Sequence, residues 1–233
     1  MKITNYISSI RWLLKFNVIY SAIINFKYFG INGLLIMPIM ISYRSKFKCK
    51  SKDGIQFIKP LKRNMLTIKN GSYFKIEKGG KLIFTGEKAF FNTRSKVLIS
   101  SNAVLGIGNN IWVNSNSEFY CRKKLNIGDD VLIAFHVIIM DTDYHPIFNE
   151  QNAIVNHDRS TIIGNKVWIG CNVTILKGTH VGNNIVIGAC SLVNGNLLID
   201  NSVYFGNPAS FVKNGITWNR DNSCMIPQIQ SSL

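Results

Sequence analysis

From Ile163 onward a bulky apolar residue recurs at every sixth position, and that period decides what the chain can fold into. The series runs Ile163, Ile169, Ile175, Val181, Ile187, Val193, Ile199 and Phe205. The residue after each anchor is most often Gly, as at Gly164, Gly170, Gly182, Gly188 and Gly206, with Leu176, Asn194 and Asp200 at the others. Four residues after each anchor stand Val167, Val173, Thr179, Ile185, Ser191, Leu197 and Val203, mostly β-branched or small. A strand alternates faces at every residue, so a six-residue unit supplies one short strand and one corner. Three units close a triangular coil of about 18 residues. The anchors then form an internal column, and the backbone pairs with the coils above and below. A single coil cannot bury its apolar face; a stack can. The expected class is all-β, a parallel β-helix.

The same phase appears earlier at Ile127, Ile133 and Ile139, followed by Gly128 and Ala134. A looser copy runs Ile99, Leu105, Ile111, and Ile76 with Leu82 gives the faintest beginning. The ladder is expected to start near residue 65 and end near 210. This divides the chain into a basic, apolar extension (1–60), a β-helix domain (61–210) and a tail (211–233), expected to be poorly ordered. The extension has no hexads, and Ile10, Leu13, Leu14 and Ile19 suggest a short amphipathic helix in it. Between Ile139 and Ile163 the period stops. The insert, 140–162, is expected to leave the prism as a loop, and long loops on rigid scaffolds often carry function.

Charge is unevenly spread. Residues 1–100 hold 19 Lys and Arg against 3 Asp and Glu, whereas residues 101–233 hold 8 against 9. A surplus of +16 on the first part is either a solvated face or an attraction for anionic partners such as lipid headgroups or acidic polymers. No nucleic-acid reader motif accompanies it, so nucleic acid is not an expected partner. The five cysteines are scattered without metal-ligand spacing and fit reduced thiols in a cytoplasmic protein. The start does not read as a signal peptide. The longest charge-free run, Tyr28–Tyr43, contains Gly30, Gly33 and Pro38 and falls short of the roughly 20 apolar residues of a membrane span. It reads as packed or interfacial.

Four histidines are available. His136 and His180 lie within regular hexads and His157 in the insert, where structural or solvated roles suffice. His145 follows the point where the coil breaks and is held by Pro146. A general base needs a near-neutral pKa and reach to a hydroxyl. Asp141 and Asp143 flank it, either to orient the imidazole or as turn formers. Asn114 and Asn116 follow the anchor Ile111, where asparagine is commonly a turn residue. Trp168 stands where the repeat needs no bulk and is expected to face outward, over a ligand or a neighbouring subunit.

The hexads, the Asp143-Tyr-His145-Pro146 break, the Val167-Trp168-Ile169-Gly170 restart and the Gly206-Asn207-Pro208-Ala209 ending resemble the hexapeptide-repeat acyltransferases. Within these they are most similar to the maltose/galactoside O-acetyltransferase branch and its capsule, exopolysaccharide and O-antigen members. The Asn25-Phe26-Lys27-Tyr28-Phe29 segment and the stretch from Leu35 to Ile41 look like the leader of polysaccharide acetyltransferases. The resemblance implies a left-handed β-helix, a homotrimer, and acetyl-CoA bound between subunits, with no metal. It places the catalytic histidine at His145 and the acceptor-side asparagine at Asn114 or Asn116. Asp143 and Tyr144 fall on the acceptor side. Trp168, Gly170, Cys171, Gly188 and Ala189 fall along the coenzyme. The Thr-Lys pair common in the family for the coenzyme phosphates is replaced here by Asn194-Gly195, and Lys213 stands where it can supply charge instead.

The expected activity is transfer of an acetyl group to a sugar hydroxyl of a surface polysaccharide or its precursor. A lipid-linked acceptor would explain the basic, apolar start, with the protein peripheral at the inner face of an anionic membrane. Three other readings stand beside it: N-acetylation of an amino sugar, a carbonic-anhydrase-like zinc lyase on the same prism, and a non-catalytic β-helix. The lyase needs three converging histidines, which the spacing here does not match.

Overall fold

A computed structural model describes residues 17–36, 38–50, 53–58 and 65–220. Short strands stack into three sheets, of nine, seven and six strands among the described residues. Every strand pairing is parallel except the last, where Ala209–Asn214 folds back antiparallel on Ser202–Gly206. Until that final coil each strand pairs with the one three places on, so the chain winds round a three-sided prism.

The register shows that the prism tapers. Ile39 pairs with Leu66, Met65 with Lys88, Ala89 with Ile111 and Trp112 with Leu132. Each of these coils takes fewer residues than the one before. Only from Ile162, which pairs with His180, has the coil shrunk to the length that the hexads demand. The wide coils are filled by phenylalanine. Phe47, Phe74, Phe91 and Phe119 form a column with ring centres 5.8, 5.0 and 5.7 Å apart. In the narrow coils the buried column is Ile163, Ile169, Ile175, Val181, Ile187 and Val193. A strict hexad is therefore the signature of the narrow end alone.

Three expectations change. The ladder begins at Ile39, well before the expected start, because the widest coils carry no hexad period. The last two anchors, Ile199 and Phe205, are exposed. Ile185 pairs with Ser202, just short of the hexad spacing, and this shortfall turns Leu197, Ser202 and Tyr204 inward instead. The tail is also better held than expected, as far as Arg220. Ile216 N–H donates to Asn201 O (3.0 Å) and the Trp218 indole donates to Lys166 O (2.8 Å).

The corner between the six- and nine-stranded sheets explains the glycine column. Gly108, Gly128 and Gly164 do not carry the left-handed turn. That falls further on, at Asn110, Asp130 and Lys166. A Cβ on Gly128 would lie 2.6 Å from Gly164 O, so glycine is required by the close approach of successive coils. Between the glycine and the turn residue, side chains form a ladder. Asn109 N–H donates to Asp129 (2.6 Å), Asp129 N–H to Asn165 (2.8 Å), and Asn165 N–H to Asn183 (2.9 Å).

At the wide end a helix, Val18–Ile36, broken at Gly30 (φ 61°), closes the prism. Of the residues expected to form an amphipathic helix, Ile10, Leu13 and Leu14 lie outside the described residues. Ile19 lies in this longer helix.

Candidate active site

The excursion is rooted by Asp141. Its buried carboxylate accepts from the backbone N–H groups of Arg122 (2.7 Å) and Lys123 (2.9 Å), and its carbonyl accepts from Arg159 N–H (3.0 Å). Burial holds its pKa above the usual carboxylate value. Asp141 thus ties the loop's exit to its return, which is the turn role. Between these points the loop forms a small hairpin, with Phe148 bridged to Ile154.

His145 sits on the outgoing arm of this hairpin. Tyr144 before it has left-handed backbone (φ 62°) and His145 N–H donates to Asp143 O (2.7 Å). The Asn156 side chain donates to His145 O and to the Asp143 carboxylate, both at 2.9 Å. Lys177, from the next coil, reaches the same carboxylate and donates to Asn156 O (2.6 Å). The hydrogen bond from Lys177 lowers the Asp143 pKa. The flanking carboxylates are therefore committed elsewhere, and neither orients the imidazole. His145 itself is exposed, and its ring takes no hydrogen bond from the described residues. It lines a cavity of about 240 Å³ with Arg122, Tyr144, Pro146 and His157. Arg122 shapes this wall. Its guanidinium donates to Tyr144 O (2.8 Å), lies 5.7 Å from the Tyr144 ring and pairs with Asp158 at 3.5 Å.

The remaining candidates gather elsewhere, on the outer face of the nine-stranded sheet and the corner leading to the seven-stranded sheet. Asn116 holds the left-handed turn there (φ 61°). Asn114 instead presents its amide outward, where the oxygen accepts from the Trp112 indole (3.2 Å) and Asn92 (3.3 Å). Gly170, Cys171, Gly188 and Ala189 stack further along the same corner, with Cys190 N–H donating to Cys171 O (2.8 Å). A Cβ on Gly170 would meet Ala189 N at 2.7 Å. Trp168 faces outward from its strand, as expected, with its ring 6.1 Å from that of Trp218. Lys213 is exposed on the final strand, beside Val203. Asn194 and Gly195 are exposed at the end of the seven-stranded sheet.

The structure thus brings His145, Asp143 and Tyr144 together and sets the coenzyme candidates and the asparagines at another edge of the prism. None of that second group lines the His145 cavity. Sequence reasoning missed Arg122, Asn156, Lys177 and Trp218, which carry no periodic signal. The other histidines fall as follows: His136 holds a left-handed corner (φ 58°), His180 is an exposed strand residue, and His157 joins the His145 cavity. Among the described residues no group of three or more His, Cys, Asp or Glu is placed to hold a metal.

The family described as bacterial transferase hexapeptide (six repeats) matches residues 160–195. A putative lipopolysaccharide biosynthesis O-acetyl transferase (WbbJ) of Escherichia coli K12 is 33% identical over 120 residues, covering 47% of this chain and 60% of that protein. A polysialic acid O-acetyltransferase of Neisseria meningitidis is 43% identical over 100 residues, covering 42% and 46%. The chain spans about half the length of the curated relatives it matches. The solved structure of the polySia-specific acetyltransferase NeuO aligns with a TM-score of 0.57 at 24% identity, over 77% of this chain and 91% of that one. That likeness shows the fold, a left-handed parallel β-helix.

Proposed function

From the match of residues 160–195 to the bacterial transferase hexapeptide family, we propose that this chain is an acetyl-CoA-dependent O-acetyltransferase acting on a sugar hydroxyl of a surface polysaccharide or its precursor. The observation that carries the reading is the placement of His145. It is an exposed imidazole lining a cavity, on a loop that leaves the prism, and that loop is pinned by Asp141, Asn156 and Lys177. In support, the relatives described above bear the names of O-acetyltransferases, one of lipopolysaccharide biosynthesis and one of polysialic acid.

The donor is a substrate of the reaction, and the corner at Gly170 and Ala189 suits it. Gly170 lets the two coils close up, and Ala189 is exposed with a one-carbon side chain, so an extended thiol arm can lie along the backbone there. Trp168 would border the thioester and Lys213 would face the phosphates. His145 and this corner occupy different edges of one prism. They meet when a second copy lays its corner beside the excursion of the first, which accords with a homotrimer whose sites lie between subunits.

In the proposed reaction the acceptor hydroxyl attacks the thioester carbonyl while His145 takes its proton. The C–O bond forms and the C–S bond breaks through a tetrahedral oxyanion. The outward amide of Asn114 or a backbone N–H supplies a hydrogen bond to that oxygen. The imidazolium returns the proton to the leaving thiolate. No covalent enzyme intermediate forms, so holding both substrates together contributes much of the rate.

The test is an assay of the purified protein with acetyl-CoA and a panel of glycans, read by mass spectrometry. The expected product gains one acetyl group that mild alkali removes. An alkali-stable product would assign the activity to an amine, and no transfer to any glycan would oppose the reading.

A further inference from the structure

The helix Val18–Ile36 is mounted inside out. Ser21 and Asn25 are buried against the protein, whereas Lys27 and Asn32 are exposed. Asn25 accepts from Ile39 N–H (3.0 Å) and donates to Ile39 O (2.7 Å), replacing the neighbour that this first strand lacks. Ser21 accepts from Ile41 N–H (3.0 Å) in the same way. The Tyr20 hydroxyl donates to Phe47 O (2.6 Å), and Phe29 packs on Phe57 with ring centres 5.2 Å apart. One helix therefore caps all three sides of the prism.

Its outward face is apolar. Ile19, Ile23, Phe26, Ile31, Leu34 and Leu35 are exposed, Ile19 and Leu35 to 77% and 76%. The cap of a stacked-coil protein in water normally presents a polar outer face. A contiguous exposed apolar surface marks a docking face. By length and composition this helix could cross a membrane. Yet it carries Lys27, breaks at Gly30 and is fastened along its polar side to the first coil. Those features suit a helix lying in an interface.

Charge identifies the occupant. Next to the cap, in the first coil, Arg44, Lys46 and Lys48 are exposed and line a shallow cavity of about 390 Å³ with Ser72 and Tyr73. The whole surplus of +16 lies in residues 1–100, from 19 Lys and Arg against 3 Asp and Glu. We infer that the wide end of the prism docks on an anionic lipid bilayer. The outward face of the helix enters the headgroup and acyl boundary, and Arg44, Lys46 and Lys48 meet lipid phosphates. Lys27 lies on the same helix and can reach the headgroups from an apolar stem.

The test uses the full chain in flotation with vesicles of phosphatidylcholine alone and of phosphatidylcholine mixed with phosphatidylglycerol. Binding is expected to the mixed vesicles only, and to weaken as salt is raised. Lys46→Glu and Lys48→Glu should each lower the partition about fivefold. Phe26→Glu with Leu35→Glu should lower it at least about tenfold, while the circular dichroism of the prism is unchanged. Equal affinity for neutral vesicles, or none at low salt, overturns the inference. So does a Phe26→Glu/Leu35→Glu variant that still floats but dissociates into smaller species, since that face would then join copies of the chain.

Discussion

Lys177, with its side chain almost wholly enclosed, places its ammonium against the Asp143 carboxylate, just before His145 in the chain. The same ammonium donates to Asn156 O, and Asn156 holds the His145 carbonyl. A coil that follows the excursion thereby fixes the arm that carries His145. Lys177→Met removes both contacts and leaves the prism core intact. Turnover should fall about ten- to a hundredfold through misplacement of the imidazole, with little change in thermal midpoint. Steady-state kinetics beside a melting curve checks this; parental turnover would show that the loop is positioned by other means.

Two carboxylates of the loop, Asp143 and Asp141, should respond to acid in opposite ways. Asp143 has a lowered pKa, so its contribution is present above the unfolded value, about 4, and is lost as pH falls through the folded one. Asp141 has a raised pKa, so protonation in acid favours the folded form there. Hydrogen exchange of 143–157 should therefore quicken below about pH 4 before the coils exchange. Simultaneous loss of protection in loop and coils would contradict this.

The glycine column allows a matched pair of substitutions. Gly128→Ala drives a methyl group to within 2.6 Å of Gly164 O and should destabilise by at least about 1–3 kcal/mol. Gly195→Ala meets nothing within 4 Å and should leave stability unchanged or raise it slightly. Denaturant titration of both proteins measures the difference.

The division of the site between two edges of the prism makes a further expectation. His145→Ala and Ala189→Arg, each inactive alone, should recover part of the parental activity when co-assembled. Each copy would supply the edge that the other lacks. Mixed assemblies prepared by co-refolding and assayed for acetyl transfer check this, and no recovery would place the complete site within one copy.

What could be read from sequence follows from coil size. The narrow coils impose a period that Ile163 to Val193 display openly. The wide coils have longer corners and phenylalanine interiors, so Ile39, Phe47 and Leu66 show no spacing that marks them as rungs. The final coil falls short of the period, which sent Ile199 and Phe205 outward against expectation. At the site, His145 stood out because the period breaks beside it. Lys177, Asn156 and Arg122 did not, since their roles depend on coils and hairpin arms meeting in space. The polar residues of the capping helix were equally silent, because Asn25 and Ser21 serve a strand edge rather than a core.

The central claim is that His145 removes the acceptor proton. It is tested most directly by comparing His145→Ala with the parental protein in single-turnover acetyl transfer from acetyl-CoA to an accepted glycan. The expected result is a rate about 10²–10⁴-fold lower, with assembly and thermal midpoint unchanged. A folded His145→Ala protein that transfers at the parental rate would contradict it.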